Sequence, residues 1–169
     1  MSDGLVIRRV DALTEDEISA LALLLIAVVD EGASVGFLPP LDPERARAWS
    51  RASCGPGTVL LLAEVDGRIA GTIQVHDAES ENGRHRGEIC KLLVDPASRR
   101  RGIARSLLAE AEAEAARAGK TLLVLDTCEG DPSNVLYRAA GWTEAGRIPG
   151  WARSASGDLA ATVFWFKFL

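Results

Sequence analysis

The stretch from Glu88 to Arg105 constrains this chain more than any other. Glu88-Ile-Cys-Lys-Leu-Leu-Val94 reads as a strand. It passes through Asp95-Pro96-Ala97-Ser98 into Arg99-Arg100-Arg101-Gly102-Ile103-Ala104-Arg105, and an apolar stripe of helical period follows. A strand that leads this directly into a helix presents first-turn N–H groups that have no backbone partner and whose dipoles point outward. Gly102 and Ala104 are small enough to let a ligand reach that backbone, and Arg99, Arg100 and Arg101 bring positive charge to it. The combination suits an anion, most simply a phosphate or pyrophosphate. An arginine-rich helix start on a solvated surface is the other reading of the same residues. The dinucleotide pattern G-x-G-x-x-G and the Gly-Lys-Ser/Thr of a P-loop are both missing here.

Length and charge bound the rest. A chain of 169 residues fits one domain, 1–169, with a full core. Hydrophobic residues make up 47% and charged residues 25%, which argues against global disorder. The net charge of -5 argues against a general nucleic-acid binder, and nucleic acid is not expected as a partner. Cys54, Cys90 and Cys128 are odd in number and show no paired ligand spacing, and only His76 and His85 could join them, so no metal site is expected. Unpaired cysteines fit a reducing compartment. Met1–Val10 has no apolar signal core, and the apolar run Ile18–Val29 is too short to span a bilayer. A cytoplasmic protein without membrane association is expected.

The remaining elements follow from local signals. Leu5–Val10 reads as a strand. Thr14 and Glu17 form a capping box before a helix carrying Ile18, Leu21, Leu25 and Val28 or Val29 on one broad face, ending near Gly32. Gly32–Phe37 reads as a loop, either a plain connection or a lining for a substrate cleft. Asp42 caps a second helix with Pro43 at its first position. Thr58–Val65 and Arg68–His76 are strands joined by the two-residue turn Asp66-Gly67. Asp77–Gly87 is polar, a hairpin loop or a lid. Strict alternation in the next strand puts Glu88, Cys90, Leu92 and Val94 on one face. Ile103, Leu107, Leu108, Ala111 and Ala115 form the stripe of the following helix, which Gly119 ends. Leu122–Thr127 is nearly all apolar, as in a strand covered on both faces, with Asp126 as the anomaly. Asp131-Pro132 opens a short helix holding Tyr137. Trp142–Arg147 and Leu159–Phe168 are the last strands, joined by Gly150–Gly157.

The order strand, two helices, three strands, helix, strand, helix, two strands accompanies two motifs. One is Arg99-x-x-Gly102-x-Ala104, and the other is Leu136-Tyr137-Arg-Ala-Ala-Gly141-Trp142. Together they resemble the GCN5-related N-acetyltransferases (GNAT) over essentially the whole chain. Several further pieces resemble the tabtoxin-resistance type within that family. These are Gly32-Ala-Ser-Val-Gly-Phe37, Asn82-Gly83 with Arg86 and Glu88, Lys91-Leu92, Leu122–Thr127, Pro149-Gly150-Trp151 and Phe166-Lys167. The resemblance implies a mixed α/β (α+β) fold: a central, mostly antiparallel sheet with helices on both faces and a splayed parallel pair at the cofactor cleft.

The resemblance also implies acetyl-CoA as cofactor and CoA as product. The amides around Arg100, Arg101, Gly102, Ile103, Ala104 and Arg105 would receive the pyrophosphate, with Arg99 and Arg100 adding charge. The backbone of Leu92, Leu93 and Val94 would pair with the pantetheine arm. An amine must be neutral to attack a thioester, so a carboxylate that takes its proton is needed, and Glu88 and Asp126 are the candidates. A strand N–H near Leu92 or Leu93 would stabilise the oxyanion. Tyr137 would protonate the departing thiolate. Many relatives carry an asparagine seven residues before this tyrosine, where this chain has Gly130; Asn134, one helical turn from Tyr137, is the nearest substitute. Phe37, Asn82, Arg86 and Trp151, together with Glu88 and Asp126, would shape the acceptor site. The expected acceptor is a small-molecule amine such as an antibiotic or toxin, and the expected assembly a monomer or homodimer. A protein N-terminus or lysine as acceptor, and a non-catalytic acyl-CoA sensor, are the competing readings. With no histidine positioned to activate Cys90 or Cys128, direct transfer is expected over an acetyl-cysteine route.

Overall fold

A computed structural model describes residues 4–169; Met1–Asp3, the start of the segment read as lacking a signal core, lie outside the described residues. Seven strands form one sheet, in the order β1-β2-β3-β4-β5-β7-β6. They are β1 (Leu5–Val10), β2 (Thr58–Val65), β3 (Arg68–Asp77), β4 (Arg86–Val94), β5 (Leu122–Cys128), β6 (Thr143–Arg153) and β7 (Leu159–Phe168). Only β4 and β5 pair in parallel. The helices are α1 (Glu15–Asp30), α2 (Pro43–Arg51), α3 (Ile103–Arg117) and α4 (Ser133–Ala139). The expected mixed fold, with its single parallel pair, is the one observed.

Each face of the sheet has its own core. Ile103, Leu107, Leu108, Ala111 and Ala115 of α3 and Tyr137 of α4 pack on one face against Ile73, Ile89, Leu123 and Leu125. Leu21, Leu25, Val28 and Val29 of α1 pack on the other against Leu60, Leu62 and Leu93. The side chains that bury are those the helical and strand periods select. On the α1 face, however, Leu122 and Val124 are only half-buried, beside Phe166 and Phe168. The apolar run of β5 is therefore closed on one face and partly open on the other, not covered on both, because α1 and α2 stop short of β5 and β7.

Local signals set the ends of elements. Glu17 N donates to Thr14 Oγ1 at 3.3 Å and Thr14 N donates to Glu17 Oε2 at 2.7 Å, completing the capping box. The bond from Thr14 N is the main cause holding the Glu17 carboxyl below its ordinary range, and Arg8 adds to it. A depressed carboxyl pKa stabilises the fold above its ordinary range, and that contribution is lost as pH falls through the depressed value. Thr14→Ala should cost about 1 kcal/mol and lower Tm by about 2–4 °C near neutral pH. Melting curves should show the difference shrinking at acid pH, where the bond lost in the variant from Thr14 Oγ1 to Glu17 Oε2, 2.9 Å, no longer has a charged acceptor. Asp66 and Gly67, at φ 51° and 74°, make the tight left-handed turn of the β2–β3 hairpin.

Two strands depart from the sequence expectation. β6 does not stop at Arg147 but continues to Arg153, so the connection to β7 is shorter than Gly150–Gly157. Pro149, Gly150 and Trp151 sit in a break of the β6–β7 register between Ile148 and Ala152. Turn-type residues here mark an irregularity inside a hairpin, not its end. β4 carries a bulge. Gln74 opposes Cys90 and Thr72 opposes Leu93, so β4 spends one more residue than β3 over that interval, and Lys91 takes φ 54°. The extra residue inverts the alternation. Glu88 and Cys90 share the face to which Leu93 later contributes, while Leu92 and Val94 join Ile89 on the α3 side. The expected single row Glu88, Cys90, Leu92, Val94 does not exist.

Candidate active site

The anion-binding candidate is built by a compact turn. Asp95 N donates to Ala70 O at 2.9 Å, and Asp95 Oδ1 accepts from Ala97 N at 3.1 Å. Arg100 and Gly102 both take left-handed backbone, φ 63° and 79°. The bond from Ser106 N to Gly102 O, 3.0 Å, is the first of the helix, so the N–H groups of Ile103, Ala104 and Arg105 precede it. A Cβ on Gly102 would meet no atom within 4 Å, so the backbone there faces open space.

That space belongs to a cleft of 910 Å³ whose walls come from five places. They are the end of α1 with the Gly32–Gly36 loop, Ile89–Val94, the start of α3, Asp126–Cys128 with Tyr137, and Trp151 with Thr162. The cleft exists because the parallel strands part. Arg86, Gly87 and Glu88 pair with Leu122, Leu123 and Val124, and no pair follows. Beyond Glu88 the β5-facing edge of β4 has no strand partner, which leaves backbone groups of Ile89–Val94 for an extended ligand. The Lys91 bulge lies on this edge, and Lys91 Nζ donates to Val35 O at 2.5 Å, tying the bulge to the loop after α1.

The titratable groups sort by environment. Asp126 is exposed in the cleft wall; Oδ2 accepts from Thr162 Oγ1 at 3.1 Å, and Oδ1 has no partner among the described residues. Burial, with the Glu88 and Asp126 carboxylates adding to it and Lys91 opposing, pushes the Cys90 thiol up to about 12. Tyr137 is 6% exposed against Trp142 and Trp165. Burial raises its phenol well above the ordinary range, with Asp131 and Asp126 adding to it, while the Ser133 hydroxyl opposes the shift. Ser133 is in turn hydrogen-bonded to Thr127, 2.9 Å between the hydroxyl oxygens. A tyrosine so placed keeps its proton at neutral pH and can donate it into the cleft.

A helix N-terminus facing the mouth of a splayed parallel pair, with a protonated tyrosine across from it, is accompanied by a match to the family model of the acetyltransferase (GNAT) family over residues 23–142. The chain belongs to the GNAT family. It is 29% identical to an uncharacterized N-acetyltransferase of Azospirillum brasilense from the hisH-hisA intergenic region, over 73% of this chain and 75% of that one. It superposes on ribosomal-protein-alanine N-acetyltransferase of Brucella melitensis with a TM-score of 0.82 and 25% identity, covering 97% of this chain and 99% of the other. It also shares its fold with yncA of Salmonella typhimurium, solved with its cofactor acetyl-CoA (TM-score 0.81, 22% identity, coverage 98% and 94%). This GNAT protein is an acetyl-CoA-dependent N-acetyltransferase. The open backbone at Gly102, the α3 amides that precede its first helical bond and the unpaired edge of β4 fit a ligand with a diphosphate at one end and an extended amide-bearing arm.

Within the GNAT cleft, the sequence-derived candidates separate. Leu92, Leu93, Val94, Arg99, Arg100, Gly102, Ile103, Ala104, Arg105, Asp126, Tyr137 and Trp151 line it. Arg99 lies at its rim with Nη1 on Glu31, and Arg101 is exposed outside the lining. Asn134 does not line it. Its Nδ2 donates to Cys128 O and Asp131 O, and its Oδ1 accepts from Trp165 Nε1, so the carboxamide is spent on seating α4 against β5 and β7. Phe37 packs on the α1–α2 core under Arg45 and Lys91, each with its charge 5.8 Å from the ring centroid. Asn82, Arg86 and Glu88 sit toward the closed end of the β4–β5 pair, outside the lining. Sequence reasoning did not single out Thr162 or Ser133. Each acts through a hydroxyl that reaches its partner only once β7 pairs with β5, or α4 folds back on it, and no local pattern announces that.

Proposed function

We propose that this N-acetyltransferase acts on a small-molecule primary amine by direct transfer, with Asp126 as base and Tyr137 as proton donor. The observation that carries the reading is that both line the cleft that begins at the α3 N-terminus. Acetyl-CoA supplies the acetyl group as a thioester activated toward amines. The amides of Ile103, Ala104 and Arg105 hold the diphosphate, Arg99 and Arg100 add charge at the rim, and the backbone of Leu92, Leu93 and Val94 orients the arm. Asp126 takes the ammonium proton at Oδ1, directly or through water, while Thr162 fixes Oδ2. Glu88, on the same face of the sheet, adds negative potential. Tyr137 presents the Oη proton to the leaving sulfur. Cys90 is held as a neutral thiol by its burial, which supports direct transfer over an acetyl-cysteine route.

The favoured acceptors are antibiotic- or toxin-like amines, including tabtoxin-like β-lactams, because Gly32–Phe37 and Pro149–Trp151 resemble the tabtoxin-resistance type and part of each lines the cleft. We take the protein as a single cytoplasmic domain, monomeric or homodimeric; the free thiols of Cys54, Cys90 and Cys128 support that compartment. The likeness to the Brucella melitensis enzyme supports a second reading, a protein N-terminus as acceptor. Thiol release from acetyl-CoA should be measured across amino acids, toxin-like β-lactams, polyamines and alanine-initiated peptides. Turnover confined to peptides would overturn the small-molecule reading, and no turnover with any amine would overturn both.

Asp126→Asn should lower kcat/KM about a hundredfold at neutral pH. The deficit should shrink as pH rises toward the amine's own pKa of about 10, because free amine then forms without the enzyme's help. A pH–rate profile identical to that of the parent enzyme would remove Asp126 from proton transfer.

A further inference from the structure

We propose that Asp126, Phe164 and Trp151 form a cation-recognising corner that binds the acceptor as an alkylammonium ion before its proton is lost. Asp126 and Phe164 are directly opposed on β5 and β7, so their side chains stand next to each other on one face of the sheet. Trp151 meets Phe164 edge-on, with ring centroids 5.4 Å apart and planes at 84°. Trp151 comes from the break in β6, is 52% exposed and lines the cleft together with Asp126.

This pairing is not what core packing demands. Trp142 and Trp165 are 4% and 2% exposed, and the Nε1 of each donates to a protein acceptor. Trp151 leaves half its surface to the cleft. Among the described residues Asp126 has no ion pair and keeps Oδ1 open, whereas many other carboxylates are tied to arginine or lysine. An indole and a carboxylate without an ion-pair partner that flank the same Phe164 and line one cleft attract a cation in two ways: the ring quadrupole and the full charge. A neutral nucleophile of the same shape gains from neither. The corner therefore selects amines over alcohols at the binding step, and it delivers the ammonium to the group that deprotonates it.

The inference rests on the acceptor side of the proposed reaction, but its test needs no turnover. With CoA in place of acetyl-CoA, n-butylammonium binds without reacting, and n-butanol is its neutral counterpart. Calorimetric titration of the CoA complex should show n-butylammonium binding at least about fivefold more tightly than n-butanol, the ratio expected of one cation–π contact. Trp151→Leu should erase most of the difference and Trp151→Phe should keep most of it, with CoA affinity unchanged in both. In turnover, Trp151→Leu should raise the amine KM about fivefold and leave kcat within about twofold. Equal binding of the two ligands, binding of neither, or an unchanged ammonium affinity in Trp151→Leu would overturn the corner. Ammonium binding without acetyl transfer to any amine would leave the corner standing and overturn the proposed acceptor chemistry.

Discussion

Tyr137→Phe should lower kcat by about a hundred- to a thousandfold while leaving CoA affinity and the melting temperature nearly unchanged. The substitution keeps the ring that packs at 6.0 Å from Trp142 and 6.3 Å from Trp165, so the end of α4 and the start of β6 stay in place. Only the Oη hydroxyl is removed, and Ser133 keeps its bond to Thr127. Burial holds the Oη proton on the phenol, so the parent enzyme should show no loss of activity from tyrosine ionisation as pH rises through the ordinary phenol range. Steady-state rates together with calorimetric CoA titration separate the two effects. An unchanged kcat would make Tyr137 a packing residue.

Gly102→Val should raise the KM for acetyl-CoA by about a hundredfold and lower fold stability by about 1–2 kcal/mol. A β-branched residue at φ 79° costs about 1–2 kcal/mol. Weakened amide bonds to an anion add about 1.5–3 kcal/mol. The new side chain meets no protein atom within 4 Å at its Cβ, so what it obstructs is the ligand. Relief of strain by local reorganisation of the Arg100–Gly102 turn would displace the same amides, so both responses weaken binding. A KM equal to that of the parent enzyme would show that the α3 N-terminus does not hold the diphosphate.

The parts of the fold that follow from neighbours in sequence were legible before any coordinates. The Thr14–Glu17 box, the Asp66-Gly67 turn and the α3 stripe each depend on residues a few positions apart, and each is present. Asp126 was legible because a carboxylate directly after the apolar run Leu122–Leu125 needs a reason to be there; it stands in the cleft wall. What escaped depends on pairing across the sheet. Nothing in Cys90-Lys91-Leu92 distinguishes a bulge from plain alternation, and lysine is an unusual residue for left-handed backbone. Asn134 carries the right chemistry at a plausible offset, but the carbonyls and the indole that engage it arrive from β5 and β7. Phe37 in a small-residue loop looks the same in sequence whether it lines a cleft or, as found, closes a core.

The Lys91 bulge gives β4 two reading frames. Upstream of it, Glu88 and Cys90 stand on the face that carries Asp126; downstream, Leu92 and Val94 have changed sides, and the strand edge they share with Leu93 lies over the cleft. In the proposed reaction, one parity of the strand faces the acceptor side and the other the donor side. The arrangement can absorb changes in residue identity along β4, but not a change in residue count. Losing a single position would merge the frames, turn Leu93 out of the α1 core and rotate one end of the site away from the other. If the site works as proposed, changes in acceptor preference should come from side chains and the flanking loops, with the spacing from Glu88 to Gly102 kept fixed between the two substrates.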